Sequence, residues 1–286
     1  RIDSVKSTQQ ITSAMKMVAA SKLRRAQNAI HKMRPYASKL REILQNLSAS
    51  IGSSEQSPYT TQRTPEKVLM IVLASNRGLC GAFNSNIIKA AVARMHEVWP
   101  EQAAAGNLKL MTIGKKASEY FRKRGYDVVE NHDHIYDNLT WEKASAIADS
   151  LMKDFSARTY DRIEIVYNQF KNAAVQVLKV EQFLPVEPVA DENASMAKSQ
   201  VDYIFEPSKE QIVTELIPKS LKIQFYKALL DSFASEHGAR MTAMHQATDN
   251  AKELLKELSL SYNKARQAAI TGEILEIVGG AEALKG

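Results

Sequence analysis

Apolar and small side chains recur at steps of three and four near the start of the chain: Met15, Ala19, Leu23, Ala26, Ile30, Met33, Ala37, Leu40, Leu44 and Leu47. This heptad spacing predicts a long helix with one narrow seam, as in a left-handed coiled coil. The alanines in the seam let a second backbone come close. Pro35 interrupts the run and predicts a kink or a loosened turn, because it removes a backbone donor and crowds the preceding turn. The far end of the chain repeats the pattern with Met244, Ala247, Ala251, Leu254, Leu258, Tyr262, Ala265 and Ala269. Ser208 is a predicted N-cap with Gln211 three residues on, as in a capping box. Pro218 is expected to disturb the first turns, and Gly238 to weaken the middle slightly. From Ser220 to Ala283 nothing else breaks the helix, and sixty-odd residues reach roughly 95 Å. Neither stripe can be buried alone, so the two ends are expected to pair antiparallel.

The middle of the chain changes period. Lys67–Ala74 reads as a buried strand, followed by a Ser75–Gly81 turn and a helix over Asn84–Val98. Leu108–Ile113 is a second strand, Lys115–Lys123 a second helix, Tyr126–Val129 a short strand, and Thr140–Phe155 a helix capped by Thr140. Arg162–Phe170 and Ala174–Leu184 alternate as a hairpin around Lys171-Asn172. Alternating strands and helices imply an α/β sheet with right-handed crossovers. The expected division is a coiled-coil shaft from 1–55 and 209–286, an α/β head at 66–190, and a mobile loop and connector at 191–208.

Charge sharpens this picture. The net charge is +6, yet residues 1–50 hold ten Lys/Arg against Asp3 and Glu42, a local +8 that leaves −2 for the rest. A basic shaft half suits an acidic or polyanionic partner, and it equally suits a plain solvated helix face. The 286 residues allow one or two domains, with a 44% apolar share adequate for a core. The single cysteine, Cys80, rules out an internal disulfide framework. The run Val68–Ala74 is too short to cross a bilayer. The chain begins at Arg1 inside an apparent helix and without Met, so a few leading residues are expected to precede it.

Candidate catalytic chemistry is sparse. The Gly78-Leu79-Cys80-Gly81 turn joins a strand to a helix, where phosphate loops occur, but it lacks G-x-G-x-x-G spacing and a Gly-Lys-Ser/Thr. It reads as a tight structural turn. Cys80 has no His or acid near it in sequence and reads as a small apolar residue. His132-Asp133-His134 lacks a further ligand cluster and reads as a polar turn rather than a metal site. Lys22, Arg24 and Arg25 cluster in one helical turn without the interleaved aromatics that nucleic-acid binding favours. No carboxylate pair stands out as an acid/base couple, and no cofactor is expected. Ala268–Val278 is apolar with few charges, and a bare apolar tip implies a partner that surrounds it.

Three stretches resemble the gamma subunit of F-type ATP synthases, the central rotor shaft. They are Ile11–Lys22 (ITSAMKMVAASK), Ser75–Ala82 (SNRGLCGA), and the series Gly238–Met244, Ala247–Ala251 and Asn263–Thr271. Order, spacing and helical context agree over nearly the whole chain. The resemblance implies an antiparallel coiled coil inside a hexamer of alternating alpha and beta subunits. A Rossmann-like head would sit at the foot beside epsilon and the membrane c-ring. Catalysis would then lie in the beta subunits, with the chain coupling proton flow to ATP synthesis or hydrolysis. Position by position, Arg240 and Gln267 match residues that latch a beta subunit, and Met15 matches a position facing the acidic C-terminal loop of beta. Tyr203 and Glu206 match the stretch near the c-ring, and Lys22, Arg24 and Arg25 gain an acidic partner. The implied place is the cytoplasmic face of a bacterial inner membrane, with the mitochondrial matrix face as the alternative, and without bilayer insertion. With one cysteine and no paired-cysteine insert, thiol switching is not expected. Two other readings remain open at this point: a helical-hairpin scaffold binding nucleic acid or an acidic protein through residues 1–50, and an α/β enzyme with a nucleotide at Gly78–Gly81.

Overall fold

The computed structural model describes residues 1–50, 58–186 and 209–284. Helix α1 spans Ile2–Ser50 and runs through Pro35 without ending. The final helix, named α6 below, spans Lys209–Ala283 and includes Pro218. Its 75 residues make it about 112 Å long. The expected capping residue Ser208 and the 191–208 connector lie outside the described residues.

Between the two helices lie β1 (Val68–Leu73), α2 (Phe83–Glu97), α3 (Pro100–Ala104), β2 (Leu108–Ile113), α4 (Lys115–Lys123), β3 (Val128–Asn131), α5 (Trp141–Ser156), β4 (Arg162–Phe170) and β5 (Gln176–Leu184). The described strands form one sheet in the order β3-β2-β1-β4-β5. The first four are parallel, and β5 returns antiparallel beside β4. This is the expected α/β head. Alternate residues of β1 enter opposite layers, as the period-two pleat requires. Val68, Met70 and Val72 pack with Phe83, Ile87 and Phe121 of α2 and α4. Leu69, Ile71 and Leu73 pack with Leu151 and Phe155 of α5 and with Phe225 and Leu229 of α6. Helices therefore cover both faces. Thr140 caps α5 as predicted, its side chain accepting from the Lys143 amide.

The first half of α6 is thus a sheet-covering helix as well as a shaft helix. Ile217, Leu221, Phe225, Ala228 and Leu229 are all buried in the head. The sequence division at 209 does not separate these two roles. Gly238 has a packing reason: a Cβ there would lie 3.2 Å from the Ala173 Cα, so the helix passes the β4–β5 turn at close range. Gly114 is tighter still. Its φ is 111°, and a Cβ would stand 2.1 Å from the Ala74 carbonyl oxygen, so only glycine fits.

The two terminal helices pair antiparallel as expected. Leu23, Ala26 and Ile30 of α1 pack with Leu230 and Ala234 of α6. Further along, Lys16 Nζ lies 3.4 Å from His245 Nδ1, and Thr248 meets Thr12. Ala19, Leu23, Ala26, Ile30 and Leu40 are buried, so the predicted seam faces inward. It extends past its predicted start, through Thr12 to half-buried Gln9, Val5 and Ile2. Past the level of Ile2, α6 runs on for roughly 25 residues, about 38 Å. There Ile270, Ile274, Leu275, Ile277 and Val278 are all exposed. Met244 and Ala251 are buried and Leu258 is half-buried, while Leu254 is 43% and Tyr262 59% exposed.

Candidate functional site

The neck, where α6 leaves the sheet, gathers the chemistry that the sequence scattered. In a doubly wound sheet, ligands bind in the crevice at the carboxyl ends of the strands where the order reverses. Here that crevice lies between β1 and β4, and α6 occupies it. Ser235 Oγ donates to the Asn168 carbonyl at 3.0 Å, and Ser232 Oγ to the Leu73 carbonyl at 3.5 Å.

One turn further on, Arg240 points inward. Its Nη1 donates to Glu236 Oε1 at 2.5 Å and faces His237 Nδ1 at 3.2 Å. Its Nη2 donates to the carbonyls of Arg77 at 2.8 Å and Gly78 at 3.2 Å. The Gly78 turn therefore offers carbonyl oxygens to a cation, the opposite of the amide cradle a phosphate needs. The far side of the turn is held by Ser75, whose Oγ donates to the Arg77 carbonyl at 2.7 Å, and by Asn84, which accepts from the Ser75 amide. Cys80 is buried under this turn, and burial pushes its thiol up, away from the reactive thiolate. These placements disfavour both the nucleotide and the nucleophile readings.

Electrostatics at the neck follow from burial. Glu236 and His237 are 6% and 4% exposed. Burial pushes the Glu236 carboxyl up, against the pull of Arg240 and Lys22. Burial, reinforced by Arg240 and Lys22, pushes His237 down to about 3, so the ring is neutral. Lys22 thus brings α1 to the same cluster while remaining exposed at the surface. Arg24 and Arg25 are exposed beside it.

The other predicted contacts are dispersed. Met15 is half-buried in the seam, and Gln267 is exposed on the last part of α6, about 40 Å along the helix from Arg240. Tyr203 and Glu206 lie outside the described residues. His132 pairs with Glu130 at 2.8 Å, and Asp133 is buried, accepting from the Gly114 amide at 3.1 Å. No cluster of three or more metal-capable side chains forms among the described residues. Spacing alone did not single out Glu236 or His237. The i, i+4 spacing of Glu236 and Arg240 was the available signal for the first.

Comparison with known proteins closes the picture. A family model described as ATP synthase matches residues 1–284. The chain is 58% identical to the ATP synthase gamma chain of Flavobacterium johnsoniae, over 100% of this chain and 97% of that one. It is 57% identical to the ATP synthase gamma chain of Christiangramia forsetii over the same shares. Among solved structures it is similar to a chain in the central stalk and c-ring of the Tetrahymena thermophila mitochondrial ATP synthase. That match has a TM-score of 0.61 and 26% identity, covering 83% of this chain and 99% of that one.

Proposed function

This chain belongs to the ATP synthase gamma family, the rotor subunits of the central stalk, and from that premise we propose how its parts divide the work. The paired helices α1 and α6 form the shaft inside a hexamer of alternating alpha and beta subunits. The sheet domain forms the foot, beside epsilon and the c-ring. The chain sits on the cytoplasmic face of a bacterial inner membrane. It carries no catalytic centre of its own: its Rossmann crevice is filled by its own helix, and ATP is made or cleaved on beta.

The observation that carries this reading is the inequality of the two helices. Three equivalent sites respond differently to a shaft only if the shaft touches each differently, because a partner shifts an equilibrium only by its differential interaction. Here α1 brings the exposed cations Lys22, Arg24 and Arg25 to one side, while α6 carries exposed apolar residues over Ile270–Val278. Driving one site from mostly open to mostly closed takes about 5.5 kcal/mol of differential contact. A few charge-assisted hydrogen bonds of about 1.5–3 kcal/mol each supply that. We take Lys22, Arg24, Arg25 and Gln267 as the residues that make them. Met15 faces beta near the neck, and Tyr203 and Glu206 serve the c-ring side.

The test is assembly from purified subunits. Alpha and beta alone are expected to give slow ATP hydrolysis, and adding this chain to give a stable complex with faster turnover. A chain that neither co-purifies with alpha and beta nor changes their turnover would overturn the reading.

A further inference from the structure

Beyond the crevice, the turn between β4 and β5 lies directly against the shaft. Ser235, Gly238 and Thr242 fall at i, i+3 and i+7 on one face of α6. Ser235 holds the Asn168 carbonyl of β4. Gly238 is buried, and a Cβ there would stand 3.2 Å from the Ala173 Cα and 3.4 Å from the Phe170 ring. Thr242 Oγ1 lies 3.3 Å from the Ala173 carbonyl oxygen and 3.2 Å from that of Gly238, its donor shared between them. The turn is braced from within. Asn172 Oδ1 accepts from the amides of Ala174 and Val175 at 3.0 and 2.8 Å, and Gln176 Nε2 donates to the Ala173 carbonyl at 3.1 Å. Phe170 and Ala173 also pack on the Leu23, Ala26 and Ile30 cluster by which α1 joins α6. Glycine weakens a helix interior, but at this position it lets two backbones meet with no side chain between them. Such a contact has no rotatable bonds to give, so it passes a sideways force with little slack.

We propose that the β4–β5 turn is a bracket between head and shaft, with Gly238 and Thr242 as the positioning residues that seat it, so that a turning force on the sheet domain reaches the paired helices there. The inference rests on the rotor reading above. Ile217, Leu221, Phe225 and Leu229 tie α6 into the sheet along its lower half. The turn adds a grip past the point where α6 leaves the sheet, where the helix would otherwise be free to swing.

The experiment uses the complex assembled with alpha and beta and immobilised through beta. A bead is attached to the head through Lys123→Cys, an exposed position on α4, while the buried Cys80 stays unlabelled. The angular variance of the bead is recorded in the stalled complex, and ATP hydrolysis is followed in bulk. Thr242→Val, which keeps the shape and drops the bond, is expected to widen the variance about twofold, and Gly238→Val, which drives the backbones apart, about fourfold. Bulk hydrolysis is expected to stay within about twofold of wild type in both, because neither residue is assigned a contact with alpha or beta. Hydrogen exchange at residues 171–175 is expected to rise about tenfold in Gly238→Val. Gly238→Ala separates the bracket from a plain stability role: alanine strengthens the helix, so Tm holds or rises, while the variance still widens. Should Gly238→Val fail to assemble, Gly238→Ala and Thr242→Val supply the same comparison. Wild-type variance in these two variants would overturn the proposal. A lowered Tm with wild-type variance would also overturn it, since the residues would then serve folding alone. Failure of the rotor reading is a different result, in which the bead on the complex with Gly238 and Thr242 intact does not turn with ATP.

Discussion

Thr12 and Thr248 stand 2.9 Å apart, hydroxyl to hydroxyl, although 236 residues separate them in the chain. This pair sets the level at which the two terminal helices run side by side in opposite directions. Small residues nearby let them approach. Ala26 is 3% exposed and Ala234 fully buried in the same cluster.

Overpacking that seam is therefore expected to hurt. Ala26→Phe should destabilise the chain by about 1–3 kcal/mol, since the facing backbones must part to admit the ring. Circular dichroism melting would register a lower Tm with little change in helix content at low temperature. Ala269→Leu, on the exposed end of α6, is the control and should fall within about 0.5 kcal/mol of wild type. An equal Tm for Ala26→Phe would mean the seam is loose.

How the head agrees with the sequence depends on the element. β2 and α4 match residue for residue, because short apolar runs between turn residues leave little freedom. β3 begins two residues later than its apolar stretch, beside a register irregularity at Leu110 and Met111 that spacing does not encode. α3 starts on Pro100 behind Trp99 and is only one turn long, too short for any period to show. The neck was hidden for another reason. Between Ile217 and Arg240, α6 is flanked by the sheet and by α1, so its apolar residues point to several sides and read simply as one more stretch of shaft. Arg240 lies four residues before the seam residue Met244, and its partner there, the Gly78 turn, arrives from 162 residues away.

Glu164 offers a second test. It lies on β4 at 1% exposure, accepting from Arg94 Nη2 at 2.7 Å and Nε at 3.0 Å, from Trp99 Nε1 at 3.1 Å and from Arg162 Nε at 3.2 Å. Glu164→Gln leaves two guanidinium groups facing a neutral amide and should cost about 3–5 kcal/mol in denaturant unfolding. Burial works to raise this carboxyl, but Arg94, Trp99 and Arg162 outweigh it and hold it below the ordinary glutamate range. With the folded value depressed, the unfolded chain binds its proton first on acidification. The stabilisation is complete above the unfolded pKa of about 4.3 and disappears as pH falls through the folded value. Glu164→Gln should abolish that acid-side loss, and a variant that keeps it would refute the assignment.

His237 makes a separate prediction at higher pH. Its folded value lies at about 3, from burial first and then from Arg240 and Lys22, while an unfolded histidine titrates near 6.5. Between these values the unfolded chain holds the extra proton, so stability rises with pH across the window. It is full above about pH 6.5 and declines progressively as the pH drops toward 3. The Arg240 guanidinium faces the ring nitrogen at 3.2 Å, so the variant must keep an acceptor for Arg240. His237→Asn does so, and should flatten the dependence of the unfolding midpoint between about pH 4 and 6.5. An unchanged slope would place the titration on another group.

Removing the residues after Ala268 tests the tip. Ile274, Leu275 and Ile277 are 54–70% exposed and lie far beyond the head. The shortened chain should fold with an unchanged Tm. In the assembled complex, serial shortening should weaken assembly or torque by degrees, measured as complex yield and as hydrolysis under load. Loss of folding after this small cut would show that the tip belongs to the core.

The antiparallel seam of α1 and α6 has a mechanical consequence. Two helices joined along a seam resist twist and bending together, so a load applied at the head is shared by both members of the axle wherever Leu23, Ala26 and Ile30 face Leu230 and Ala234 and Thr12 faces Thr248.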